Sequence, residues 1–268
     1  MTLLTTLLVA AGAAVATQES AVDARTWIGR AAEIEAYMRS VQMLKFEDLS
    51  VGVTRPKKAH LPPGGPMPFL VWKMIPPGRS SGAWESYQSE IAAYELDKLL
   101  ALNMVPPTVE KVYRGDRGAA IMWVAPARSF KQMGATPATG APTPPPALAN
   151  AWARQIVRAK MFHNLVNNID PNLGNWLVDP AWNLVLIDCS RCFTSGGRPP
   201  HTLTRVDPDL WDRMQALTEP GLTAAIGRLM GRGELRAILR RRDRMRTVID
   251  AAIKTHGENH VFMKGVGK

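Results

Sequence analysis

Apolar and polar positions along this chain change period several times, and each change marks an expected element. Trp27, Ile28, Ala32, Ile34, Tyr37 and Met38 recur at loosely helical spacing, which predicts a helical lead-in over residues 17–47. Leu49-Ser50-Val51-Gly52-Val53-Thr54 reads as a strand entering a turn at Arg55-Pro56-Lys57-Lys58, and Pro68 to Ile75 reads as a second strand. A Pro/Gly/Ser-rich segment over 77–83 ends it. Ile91, Ala92, Leu96, Leu99 and Leu100 then form one helical stripe over 85–100. Thr108 to Tyr113 and Ala119 to Val124 predict a hairpin turning at Gly115-Asp116-Arg117-Gly118.

Gly134 to Pro146 is rich in Gly, Ala, Thr and Pro and predicts a surface linker, drawn from residue 127 to 146. Leu148, Trp152, Ile156, Ala159, Phe162 and Leu165 mark a long helix over 147–167. It ends near His163, where a helix C-terminus favours positive charge, and that histidine is expected to be structural. Trp176-Leu177 and Leu184-Val185-Leu186-Ile187 predict a hairpin around Asp179-Pro180. Apolar stripes over 204–258 predict a helical end to the chain, with Arg240, Arg241, Arg242, Arg244 and Arg246 forming a solvated basic face.

The 268 residues, 46% hydrophobic, suffice for one large or two-lobed domain. A formal charge of +10 suits acidic partners such as nucleotides and also serves solubility. No nucleic-acid-binding motif is present, so no nucleic-acid partner is expected. The opening apolar run, with Ala14-Val15-Ala16 at a small-x-small site, predicts a secretory signal peptide over residues 1–16, although its start lacks Lys and Arg. That run is too short for a membrane span, so no transmembrane segment is expected after its removal. Export to the periplasm or outside the cell follows from that reading, and a cytoplasmic location if it fails. The two cysteines, Cys189 and Cys192, are too few for a disulfide scaffold or a four-thiolate zinc site. A disulfide pinning the turn after Asp188 and two free thiols both fit the spacing. An oxidoreductase built on the pair lacks a surrounding thioredoxin-like βαβ unit.

The chemistry concentrates in Asn168-Ile169-Asp170-Pro171-Asn172-Leu173-Gly174-Asn175 and in Asp188 at the end of the following hairpin. Asp170 precedes Asn175 by five residues, and Asn175 precedes Asp188 by 13. An aspartate at a turn can orient a hydroxyl and accept its proton. An amide oxygen and a carboxylate can share one metal. Phosphoryl transfer needs those parts, since its catalysis is mostly positioning and charge neutralisation, and the first gap matches the kinase catalytic-loop spacing. Lys73 lies inside an apolar strand, where a bare ammonium calls for an anionic partner. The alternative is an edge-strand lysine facing solvent.

On these residues, and on Ser89-Glu90-Ile91-Ala92-Ala93-Tyr94-Glu95-Leu96-Asp97 followed by Leu102-Asn103-Met104-Val105-Pro106-Pro107-Thr108, the chain resembles the atypical branch of the protein-kinase-like superfamily. That branch includes type II phosphatidylinositol 4-kinases, HipA-like kinases and secretory-pathway kinases. The resemblance implies an α+β, two-lobed fold, with a β-rich N-lobe over 48–126 and a helical C-lobe over 147–260. It implies ATP and Mg²⁺ (or Mn²⁺) as cofactors, and a hydroxyl acceptor on a protein, lipid or small molecule. Asp170 would be catalytic, and Asn175 and Asp188 would hold the metal. Lys73 would contact the phosphates, paired with Glu90 by the motif, with Glu95 a competitor by its place near the apolar stripe. The opening hairpin with Gly52 would cover the phosphates, and Trp123 and Val124 would meet adenine at a hinge. The chain departs from protein kinases in lacking G-x-G-x-x-G, in carrying Asp188-Cys189-Ser190-Arg191-Cys192-Phe193 in place of Asp-Phe-Gly, and in having no basic residue after Asp170. The last departure supports an alternative, an exported pseudokinase or nucleotide-binding module without turnover.

Overall fold

The computed structural model describes residues 22–49, 56–80, 83–170, 172–194, 196 and 199–264. The expected signal peptide, Gly52 and most of the strand expected over 49–54 lie outside these residues.

Among the described residues, five antiparallel strands form the N-terminal sheet in the order β1-β2-β3-β7-β6. These are β1 (Lys45–Asp48), β2 (Lys57–His60), β3 (Phe69–Lys73), β6 (Thr108–Tyr113) and β7 (Asp116–Met122). The opening hairpin therefore differs from expectation. Its first strand ends at Asp48, before Leu49, and the residues expected to turn, Lys57 and Lys58, begin its second strand, with Asp48 opposite Lys57. The charged run made this segment look like a loop. Lys58 is accommodated because its ammonium lies 3.7 Å from the Phe69 ring centroid and 4.6 Å from that of Trp123. The segment after β3, expected to be irregular, forms a small hairpin of β4 (Gly78–Ser80) and β5 (Ala83–Glu85).

Alternation along β3 divides the sheet into two faces. Leu70 and Trp72 join Ala120, Met122 and Val109 in one core, covered by Trp27, Ile34 and Met38 from the lead-in and α1 (Ala31–Ser40). Val71 and Lys73 point to the other face, where α2 (Tyr87–Leu99) packs. The helix starts at Ser86, whose side chain accepts the Gln88 N–H, as an N-cap should. The β6–β7 connection is tighter than expected. Tyr113 pairs with Asp116, so the turn is Arg114-Gly115, and both residues have positive φ, 50° and 91°. That is the type I′ geometry matching strand twist. Gly118 is consequently inside β7, crossing close to β3.

The C-terminal part is built on α3 (Ala149–Val166), which buries Trp152, Ala159, Phe162 and Leu165. The residues read as a linker from 127 begin with β8 (Arg128–Ser129) and the buried Phe130. β8 joins β9 (Trp176–Val178) and β10 (Leu184–Leu186) in a three-stranded sheet. Helices α4 (Pro208–Gln215), α5 (Glu219–Ile226), α6 (Arg232–His256) and α7 (Glu258–Val261) complete this part. The basic face of α6 is less solvated than expected. Arg241 donates to the carbonyls of Leu165 and Thr194, and Arg242 to that of Leu217. Burial, with Arg240 and Arg244 beside it, pushes the Arg241 guanidinium down to about 10.

His163 departs from the expected helix-dipole picture, because it is buried at 4% exposure and packs on Trp176. The Asn168 amide nitrogen can only donate, so His163 Nε2 accepts from it at 3.4 Å. The His163 proton then resides on Nδ1 and points to His201 Nε2 at 3.3 Å. Burial and the neighbouring His201 push His163 down to about 3, and burial with Lys160 pushes His201 down to about 4.

Two predictions follow from this packing. A Cβ on Gly118 would sit 2.5 Å from the Lys73 carbonyl oxygen and 2.7 Å from the Trp72 ring. Gly118→Ala is expected to destabilise the protein by about 1–3 kcal/mol in urea unfolding, by overpacking that crossing. The histidines set a pH dependence. Folding keeps both rings neutral where an unfolded chain would protonate them, so their effect is absent above about pH 6.5 and stability falls as pH drops toward 4. For His163 the slope approaches about 1.4 kcal/mol per pH unit, and it is smaller for the more exposed His201. Urea midpoints at pH 7, 6 and 5 should show a shallower fall in His163→Gln than in wild type.

Candidate active site

Lys73 ends β3 facing α2, and only 5% of it is exposed. Its ammonium lies 2.6 Å from Glu90 Oε1 and 2.7 Å from Asp188 Oδ1. One cation thus joins the strand, the helix and the end of the C-terminal hairpin. Burial opposes charge on Lys73, but Glu90 and Asp188 outweigh it and hold the ammonium's pKa above the ordinary lysine value. Burial also opposes ionisation of Asp188, yet Lys73, with the Ser190 hydroxyl, holds that carboxyl below the usual range. Glu90 goes the other way. Its burial, with the charge of Asp188, raises it despite the opposing Lys73.

The partner of Lys73 is Glu90, and the competing Glu95 instead pairs with Lys98 at 3.0 Å. Glu90 belongs to the first turn of α2, which is held against β3 where Tyr87 N–H donates to the Ile75 carbonyl. Glu95 is more than a turn farther along. The rest of the helix motif has a structural purpose. Asp97 is buried and accepts the N–H groups of Asn103, Met104 and Val105 at 2.9–3.0 Å, organising the chain between α2 and β6. Burial nonetheless pushes its carboxyl up to about 6, against those three bonds. Met104 then accepts the Leu186 N–H at 2.8 Å, tying the N-terminal part to β10 two residues before Asp188.

The loop after α3 is set by short polar side chains. Asn167, left-handed at φ 54°, ends the helix, and its amide donates to Thr194 and Gly196. Asn168 Oδ1 accepts the Asp170 N–H at 3.1 Å, Asp170 Oδ1 accepts the Asn172 N–H at 3.0 Å, and Asn172 Oδ1 accepts the Gly174 N–H at 2.8 Å. These successive Asx turns let short side chains serve as the loop's backbone partners. Asn175 is 6% exposed, and its amide donates to Asp170 Oδ2 at 3.4 Å. Its carbonyl accepts the Ile187 N–H at 3.0 Å, which sets Asn175 beside the residue preceding Asp188. Asp188 itself is left-handed at φ 64°, an uncommon state for a non-glycine residue and one that clusters at functional sites.

Asp170, Asn175, Asp188, Lys73 and Glu90 are therefore brought to one place. Trp123 and Val124 follow β7 where the chain passes from the N-terminal sheet to β8, and Met122 N–H donates to the Pro107 carbonyl at 2.8 Å. The Trp123 indole lies edge-on to Phe69 at 6.4 Å. Ser86, Glu85, Ser190 and Arg191 were not assigned a role from the sequence, yet they bond the segment after Asp188 to the start of α2. Their only signal in the chain was adjacency to Glu90 and Asp188. Asn175 and Asp188 offer a neutral and an anionic hard oxygen, the donor types suited to Mg²⁺ or Mn²⁺. Among the described residues no group of three or more His, Cys, Asp or Glu forms a closed metal cage. Such a pair fits an ion whose shell is completed by phosphates and water.

No protein-family model matches the chain, and no curated protein matches it in sequence. Solved structures do match in shape. A Golgi casein kinase solved with Mn and ADP superimposes at a TM-score of 0.68 with 10% identity, over 87% of this chain and 78% of that one. Hydra Fam20, solved with sugar, superimposes at 0.67 with 13% identity, over 88% and 93%. The Helicobacter pylori proinflammatory kinase CtkA superimposes at 0.53 with 12% identity, over 81% and 96%. The chain thus has the two-lobed α+β fold of these kinase structures.

Proposed function

We propose that this protein is an ATP- and Mg²⁺- (or Mn²⁺-) dependent phosphotransferase that acts on a hydroxyl of a protein, lipid or small-molecule acceptor. The observation that carries this reading is the buried Lys73 shared between Glu90 and Asp188 at 2.6 and 2.7 Å. A lysine so placed remains charged and oriented, ready for the α/β-phosphates. Asp170, bonded to the Asn175 amide, orients the acceptor hydroxyl and takes its proton. Asn175 and Asp188 hold the metal, whose charge offsets that of the phosphates. Trp123 and Val124 line the adenine end at the crossing between lobes. The likeness to a kinase solved with Mn and ADP supports the same cofactor class here.

Export is part of the proposal. It is supported by Ala14-Val15-Ala16 at the head of the chain and by a disulfide joining Cys189 and Cys192, a bond that persists in oxidising compartments. Among the described residues no helix is long and apolar enough to cross a membrane. One observation favours a second reading, nucleotide binding without turnover. The loop after Asp170 carries no Lys or Arg through Asn175.

Thermal shift with ATP and Mg²⁺, and phosphate release to water or to the protein itself, separate the two. The enzyme reading expects stabilisation and turnover in wild type, both lost in Asp188→Ala. Asp170→Asn should keep nucleotide binding and lose about 10²–10⁴-fold in kcat, the usual contribution of a positioned general base. Stabilisation without turnover would select the second reading. No response of wild type to any nucleotide would overturn both.

A further inference from the structure

The segment just after Asp188 takes no part in the chemistry proposed above, yet a disulfide and several hydrogen bonds tie it to its surroundings. Cys189 and Cys192 are joined by a disulfide, and the Cys192 N–H donates to the Cys189 carbonyl at 3.0 Å. Both residues are buried. Three bonds run from this loop to the start of α2. The Cys189 N–H donates to Glu90 Oε2 at 2.9 Å, the Ser86 N–H donates to the Ser190 carbonyl at 3.0 Å, and Arg191 Nε donates to Glu85 Oε1 at 2.6 Å. A fourth returns to the cleft, from the Ser190 hydroxyl to Asp188 Oδ1 at 3.2 Å. The loop therefore touches both carboxylates that flank Lys73.

We propose that the Cys189–Cys192 disulfide is a positioning element that latches α2 and keeps Glu90 on Lys73, so that its opening loosens the Lys73–Glu90–Asp188 centre. The latch follows from backbone geometry. Asp188 and Phe193, which bracket the loop, both adopt left-handed conformations, at φ 64° and 67°. An aspartate visits this region more readily than a bulky residue, so it is Phe193 whose conformation persists only where the surroundings enforce it. Phe193 is held by its own N–H, bonded to the Val166 carbonyl at 2.6 Å, and by burial. The covalent link closes the residues between the two and presents the Cys189 N–H and the Ser190 carbonyl together toward α2. Without it, four residues with several accessible turns must recover that presentation from hydrogen bonds alone. A dithiol reductant opens the bond. Its thiolate attacks one sulfur, the S–S bond breaks, two cysteine thiols form with two protons, and the reductant closes to its own disulfide.

The test compares oxidised wild type, dithiothreitol-treated wild type and the Cys189→Ser/Cys192→Ser double variant. The primary readout is amide hydrogen exchange, which is independent of activity. The Ser86 and Cys189 amides should exchange at least about tenfold faster in the reduced and double-variant proteins, while α3 keeps its protection. The second readout rests on the phosphotransferase reading of the same cleft: ATP turnover should fall at least about tenfold on reduction, return on reoxidation, and be insensitive to reductant in the double variant. Unchanged exchange at both amides on reduction would overturn the proposal. If the oxidised protein responds to no nucleotide, the phosphotransferase reading fails, and the exchange comparison still decides the latch. If the double variant does not fold, reversible reduction of wild type makes the same comparison.

Discussion

A lysine ammonium buried between two carboxylates is the constraint on which the rest of this molecule depends. Taking Lys73 out of water is costly, and only close opposite charge offsets it. Glu90 and Asp188 come from parts of the chain that are 98 residues apart (188 − 90), so satisfying Lys73 forces strand, helix and C-terminal hairpin to meet at one point. The three groups do not share charge equally. Lys73 is held charged and Asp188 ionised, whereas burial biases Glu90 toward its neutral form. An ionised carboxylate and a cation are thus held in fixed positions at the meeting point of strand, helix and hairpin.

The two sides of the cleft reach this point by different means. On the N-terminal side the position of Lys73 follows from sheet register, with Ala119 opposite it and Gly118 leaving room for the crossing. On the C-terminal side little regular structure is available. There, Asn167, Asn168, Asp170 and Asn172 use their side chains as substitute backbone partners, and buried His163 supports Asn168 from below. The disulfide loop completes the circuit by bonding Asp188's neighbours back to α2. At its far end the loop is anchored by the buried Phe193, whose N–H bonds the Val166 carbonyl.

The parts of this arrangement legible in the chain were those in which one local rule dominated. Helical periodicity predicted α2 and α3 to within about two residues at their ends, since long amphipathic segments carry a repeated signal. The β9–β10 hairpin and the β6–β7 hairpin were visible from apolar runs separated by turn residues. The opening hairpin was misplaced because Lys57 and Lys58 look like loop residues until Phe69 and Trp123 are seen to receive the Lys58 ammonium. The basic stretch of α6 looked fully solvated because nothing local shows that Arg241 reaches the carbonyls of Leu165 and Thr194.

The chemistry divides in the same way. By itself the sequence determined which groups were available: an apolar strand containing one lysine, a helix with a glutamate in its first turn, an Asp–Asn loop, and an aspartate ending a hairpin. These are matters of residue type and local spacing. Only the tertiary structure decided that Glu90 rather than Glu95 meets Lys73, that Cys189 and Cys192 are bonded to each other, and that His163 is neutral. Each depends on which surfaces are brought together over separations of tens of residues. Partner choice there is set by burial and distance, and neither is written in local sequence.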